Sequence, residues 1–122
     1  MSLKIAESLL PAVLAQAPVI YPVGFSYIYS KMFYYTYVLY SHKDLKFYTG
    51  YTNNLINRLE QHQTGQVPST KYRRPLILLY WEGCLNQEDA TRREKYLKSG
   101  NCKRYLNNRL KNYFAKLKNP TG

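Results

Sequence analysis

Alternation and helical spacing divide the chain into six elements. From Phe33 to Tyr40 the residues are rich in Tyr, Val, Phe and Thr, His42 to Lys46 turn the chain, and Phe47 to Thr49 resume, which predicts a β-hairpin. Strict alternation puts Tyr35, Tyr37 and Leu39 on one face of the first strand and Tyr34, Thr36, Val38 and Tyr40 on the other. A helix of about three turns follows, with Thr52 or Asn53 as its cap, Leu55, Ile56 and Leu59 as its apolar stripe, and Gly65 to end it.

Pro68 and Pro75 bracket an exposed basic loop holding Lys71, Arg73 and Arg74, and Leu76 to Trp81 form a third strand. Asn86 caps a second helix with Glu88 and Asp89 in its first turn and Lys95 and Lys98 in its last, complementing the helix dipole, and Ser99-Gly100 closes it. In a third helix, Cys102 to Leu117, the residues Leu106, Leu110, Tyr113 and Leu117 recur at helical spacing as its core face. The order β-β-α-β-α-α implies an α+β domain, a three-stranded antiparallel sheet flanked by three helices, over residues 32 to 118.

Residues 1 to 31 break the pattern. Leu9, Leu10, Val13, Leu14, Val19 and Ile20 are apolar, but Pro11, Pro18 and Pro22 prevent a helix long enough to cross a membrane. Glu7 and Pro18 argue against a secretion signal. This stretch is expected to be a disordered or loosely attached extension, or the product of an upstream start codon, and residues 119 to 122 a short tail. Only Cys84 and Cys102 are present, without zinc-ligand spacing, which fits a reducing compartment and a cytoplasmic location.

Charge narrows the choice of partners. With 18 Lys and Arg against 7 Asp and Glu the formal charge is +11, and all of the basic residues except Lys4 and Lys31 lie from Met32 onward. Such a surface attracts polyanions, nucleic acid first and an acidic protein or membrane second.

Glu94 is the most informative side chain. At about 100° per residue it falls between Ala90 and Leu97 on the apolar stripe of the second helix, where an unpaired carboxylate costs several kcal/mol. It therefore either pairs with a cation, with Arg58 and Arg93 as nearby candidates, or binds a divalent metal. Arg58 and His62, four residues apart, share a helix face from which both reach one phosphate, and the planar Arg fork matches phosphate oxygens. Most of the 14 tyrosines are packing residues, although one beside a metal or guanidinium is able to deprotonate water.

Tyr35-Thr36-Tyr37, then Tyr48-Thr49-Gly50, Leu55-Ile56-Asn57-Arg58 and His62 resemble the GIY-YIG nuclease superfamily. The likeness continues through His62-Gln63-Thr64-Gly65, Lys71 to Pro75 and Arg93 to Lys98, over roughly residues 34 to 110, and is greatest to small bacterial members related to the nuclease domain of the excision-repair incision subunit. It departs where Tyr35 replaces the first motif's Gly, and Thr36 and Thr49 replace its Ile residues. The resemblance implies a DNA endonuclease acting in repair or processing. It makes Tyr37 the general base toward water and Tyr48 its hydrogen-bonding partner, with Arg58 holding the scissile phosphate, His62 assisting, and Glu94 ligating one Mg or Mn ion. Asn107 and Asn108 both compete for the family's Asn position.

Lys71, Arg73, Arg74, Lys103 and Arg104 are expected to add backbone contacts without sequence specificity, so that a protein partner or a structured substrate supplies targeting. RNA is a second possible substrate. The competing readings are a catalytically silent nucleic-acid-binding module and a basic protein-interaction domain.

Overall fold

The computed structural model describes residues 30 to 118, so the expectations for residues 1 to 29 and for the tail 119 to 122 lie outside the described residues. Its contacts divide the chain into Met1–Phe33 and Tyr34–Gly122, and of the first unit only a turn from Ser30 to Phe33 is described. In the second unit, strands β1 (Tyr34–Ser41), β2 (Phe47–Thr52) and β3 (Leu76–Cys84) form an antiparallel sheet in the order β2-β1-β3. Helix α1 (Leu55–Gln63) lies between β2 and β3, and α2 (Gln87–Tyr96), α3 (Cys102–Arg109) and α4 (Lys111–Lys118) follow β3.

The central strand is apolar on both faces because both are covered. Thr36 Oγ1 donates to the Ala90 carbonyl of α2 at 2.9 Å, and Val38 packs with Leu97, Cys102 and Leu106. On the alternate positions Tyr37 and Leu39 are fully buried, with Tyr37 against His62 of α1. Opposite β3, the register skips one residue between Val38 and Leu39, so that Val38 faces Tyr80 and Leu39 faces Leu78.

The helices correct the sequence reading in three places. Asn54 caps α1, its Oδ1 accepting from the Asn57 N–H at 3.2 Å, whereas Thr52 still pairs with Tyr35 in the sheet and turns its hydroxyl to the Asn54 N–H. The inner side of α1 runs through Leu55, Leu59 and His62, the i, i+4, i+7 spacing, and this leaves Ile56 68% exposed. The third helix is broken at Leu110, whose φ of −114° and ψ of 27° leave the helical range, and Tyr113 and Leu117 beyond it are exposed.

Other boundaries follow local chemistry as expected. Gly65, at φ +77°, ends α1 in a left-handed conformation that costs glycine little. Asn86 Oδ1 accepts from the Asp89 N–H to cap α2, and Gly100, at φ +97°, lets a π-type turn over Leu97–Asn101 join α2 to α3. No helix of the described residues is long and apolar enough to cross a membrane.

Candidate active site

Tyr37 leaves the central strand across Gly50, its partner on β2. A Cβ at Gly50 would run into the Tyr37 ring and hydroxyl, so glycine is what allows the phenol to lie there. The Tyr37 hydroxyl is 2.7 Å from His62 Nε2, and His62 Nδ1 is 2.7 Å from Thr70 Oγ1. Tyr37, His62 and Thr70 are 0%, 1% and 0% exposed, so these three polar groups satisfy one another away from water. Burial, joined by the neighbouring Arg58 charge, lowers the His62 pKa to about 4 and keeps the imidazole neutral. In the tautomer with hydrogen on Nδ1, His62 donates to Thr70 and accepts the Tyr37 hydroxyl proton at Nε2.

The structure gives the two motif tyrosines separate hydrogen-bond partners. Tyr37 bonds to His62 rather than Tyr48, and the Tyr48 hydroxyl instead accepts from Ser69 Oγ at 3.4 Å. Burial also pushes the Tyr37 pKa up to about 12 and removes its ring from solvent. Tyr48 is half-buried, its ring centroid 6.5 Å from that of Tyr37 and 5.2 Å from that of His62. Of the two motif tyrosines it is the one that meets solvent.

Arg58 stands beside both phenols, which together favour its charged form. Its Nη1 donates to Gln61 Oε1 at 3.0 Å, while its Nε–H is buried without an acceptor. A buried donor left unpaired costs about 1–3 kcal/mol, which an incoming anionic oxygen would recover. The guanidinium opens onto a groove lined by Tyr51, Asn53, Asn57, Gln61 and Gln87.

The Glu94 side chain is 20% exposed on α2. It pairs with Lys98 Nζ at 3.3 Å, not with Arg58 or Arg93, for Arg93 Nε reaches across to Glu82 at 2.5 Å and its guanidinium covers the Tyr105 ring. The negative charge of Glu94 bears on the hydroxyls of Tyr37 and Tyr51, so the carboxylate belongs to the same electrostatic neighbourhood as the motif tyrosines. Among the described residues no three His, Cys, Asp or Glu side chains cluster as a ready-made cage. A hard divalent cation fits this donor set nonetheless, because it takes one carboxylate and fills its remaining positions with water and phosphate oxygens.

The expected nucleic-acid contacts separate. Arg73 Nε pairs with Asp44 at 2.6 Å and its Nη2 donates to the Lys46 and Phe47 carbonyls, clamping the hairpin turn. Arg74 lies over Gly65 and donates to the Lys71 and Gln63 carbonyls. Both guanidinium groups hold the protein's own backbone, although Arg74 stays exposed in the loop as expected. Arg104 donates to Asn101, Lys71 is exposed beside the Tyr72 ring, and Lys103 lines a second groove with Phe47, Tyr48, Thr49, Lys98 and Cys102. Asn107 and Asn108 are exposed on α3.

Sequence reasoning missed Thr70, whose only signal is its place in a loop after α1, and it read Lys98 as a helix-end charge. The i+7 spacing from Leu55 puts His62 on the inner face of α1, where it is buried.

A family model described as the GIY-YIG catalytic domain matches residues 33–108. A UPF0213 protein of Pediococcus pentosaceus is 50% identical over 56 residues, covering 45% of this chain and 59% of that protein. Another, from Pediococcus acidilactici, is 42% identical over 83 residues, 62% of this chain and 82% of its own length. The solution NMR structure of a UPF0213 protein from Bacillus halodurans is 32% identical, covers 71% of this chain and 86% of that one, and has a TM-score of 0.36.

Proposed function

Because the chain belongs to the GIY-YIG catalytic domain family, we propose that it is a metal-dependent endonuclease that hydrolyses phosphodiester bonds in DNA. The observation that carries this reading is the buried Arg58 Nε–H, a permanently charged donor without a protein acceptor, held beside two phenols. A phosphate oxygen matches it in charge and as an acceptor.

Arg58 holds the scissile phosphate and offsets the charge that builds on its oxygens. Tyr48, the motif phenol that meets solvent and lies beside Arg58 and Lys98, takes the proton of the attacking water. As the water oxygen bonds to phosphorus the ester P–O bond breaks, leaving a phosphomonoester and an alcohol. Tyr37, His62 and Thr70 form the buried floor that fixes this arrangement. Glu94 is the residue that would hold Mg or Mn, and the bound ion would polarise the phosphate and stabilise the leaving alkoxide. Lys71 and Lys103 extend the contact to neighbouring phosphates, which makes binding salt-sensitive. A location in the cytoplasm, and a role in repair or processing with a protein partner supplying targeting, belong to the same proposal.

Incubation with supercoiled plasmid and branched duplexes, with Mg or Mn and after chelation, tests the reading. Metal-dependent nicking that Glu94→Gln abolishes while binding persists is expected. Equal cleavage by wild type and Glu94→Gln would remove Glu94 from the chemistry. Salt-sensitive binding without cleavage under every condition would favour the silent binding module.

A further inference from the structure

Beside Glu94 and Tyr48 stands a cation to which the family resemblance assigns no role. Lys98 Nζ is 3.3 Å from Glu94 Oε2 and 6.0 Å from the centre of the Tyr48 ring. The pair is unequal: the carboxylate is 20% exposed and the lysine 52%, so the ammonium comes onto a mostly buried carboxylate from the solvent side. An i, i+4 pair on a helix surface normally leaves both partners in water. Here the pair spans the junction between α2 and the π-type turn, and the same lysine also lines the groove that holds Tyr48 and Lys103.

We propose that Lys98 is a built-in occupant of the metal position: it neutralises Glu94 in the free protein, yields that carboxylate to a divalent cation, and then grips a backbone phosphate in the groove beside Tyr48 and Lys103. This rests on Glu94 being the metal ligand. A partly desolvated carboxylate is stabilised by a counter-charge, which Lys98 supplies in the free protein. A divalent ion outcompetes a single ammonium for one carboxylate, and the flexible four-carbon stem of lysine allows its head to move without disturbing the helix. Arginine, tied by several hydrogen bonds, would leave less readily. The displaced charge enters a groove that already carries Lys103, so arrival of the metal strengthens the hold on nucleic acid through this side chain.

Mn2+ titration of the full chain, read by the loss of the free-ion paramagnetic resonance signal without nucleic acid, tests the first half. Lys98→Met is expected to bind Mn2+ roughly two- to fivefold more tightly than wild type, the range set by a partly exposed ion pair. Lys103→Met removes the same charge from the same groove and is expected to change Mn2+ affinity much less, since an exposed charge is screened within about 8 Å at physiological salt. Unchanged or weaker binding by Lys98→Met, or equal tightening by Lys103→Met, overturns the proposal.

Glu94→Gln is expected to lose Mn2+ binding. Binding retained by that variant would fail the underlying reading of Glu94, a result distinct from failure at Lys98. The second half is read from the salt dependence of DNA binding. With Ca2+ present, Lys98→Met is expected to lower the slope by about one relative to wild type, and without divalent metal to leave it unchanged. A loss of slope in both conditions would mean that Lys98 grips phosphate whether or not the carboxylate is released, and would also overturn the proposal.

Discussion

The Tyr37 hydroxyl and His62 Nε2 lie 2.7 Å apart in the interior, with Thr70 closing the other side of the imidazole. This seals the first motif tyrosine in the interior and leaves the second to meet solvent. Tyr37→Phe is therefore expected to cost about 1–3 kcal/mol of stability by leaving His62 Nε2 without its partner. Tyr48→Phe is expected to abolish cleavage with little change in the urea midpoint. The reverse pattern would return the base role to Tyr37.

Gly50 is constrained by space, for its neighbour is the ring of Tyr37. Gly50→Ala is expected to destabilise the domain by about 1–3 kcal/mol, the range for overpacking, and to depress cleavage by moving the phenol. Thermal denaturation together with plasmid nicking checks both effects.

The neutral His62 imposes a pH dependence with a definite sign. Its pKa is lowered from 6.5 to about 4, so between those values the unfolded chain binds the proton that the folded chain refuses. The resulting stability is fully present above about pH 6.5 and is lost as pH falls toward 4, by at most about 3 kcal/mol from this group. Chemical denaturation at a series of pH values is expected to show that loss in wild type and a flatter profile in His62→Gln. Parallel profiles would contradict a neutral buried imidazole.

Charge removal is expected to sort the basic residues. Lys71→Ala and Lys103→Ala each lower the salt slope of DNA binding by about one. Arg73→Ala leaves the slope unchanged and lowers the melting temperature, because its guanidinium clamps Asp44 and two carbonyls of the hairpin turn. An equal loss of slope in all three would return Arg73 to the nucleic-acid surface.

The fold was largely legible because its signals are local. Alternation in Tyr34 to Tyr40, the capping amide of Asn86, and glycines at positions 65 and 100 each state a backbone preference within a few residues. Helix caps and ends read less well: Thr52, Asn53 and Asn54 are all competent caps, and register in the sheet, invisible along the chain, decided for Asn54. The break at Leu110 was hidden for the opposite reason, since helical spacing continues to Leu117 although Tyr113 and Leu117 are exposed and Phe114 is what packs against the core beyond the break.

Within the site, the identities of Tyr37, Tyr48, Arg58, His62 and Glu94 were readable from motif spacing, but their partners were not. Thr70 meets His62 across an eight-residue separation, and Arg73 meets Asp44 across 29. Which of two tyrosines is sealed from water depends on an inner helix face and a side-chain-free glycine on the next strand, neither of which a linear motif displays.

Helix α4 contributes no buried residue, yet it carries Lys111, Lys116 and Lys118. Its lysines can be exchanged with little penalty in folding, whereas a change of charge beside the buried Tyr37 would cost stability. Charge and thermodynamic robustness therefore reside in separate parts of the chain, so the electrostatic field around this last helix can be tuned without disturbing the interior around Tyr37.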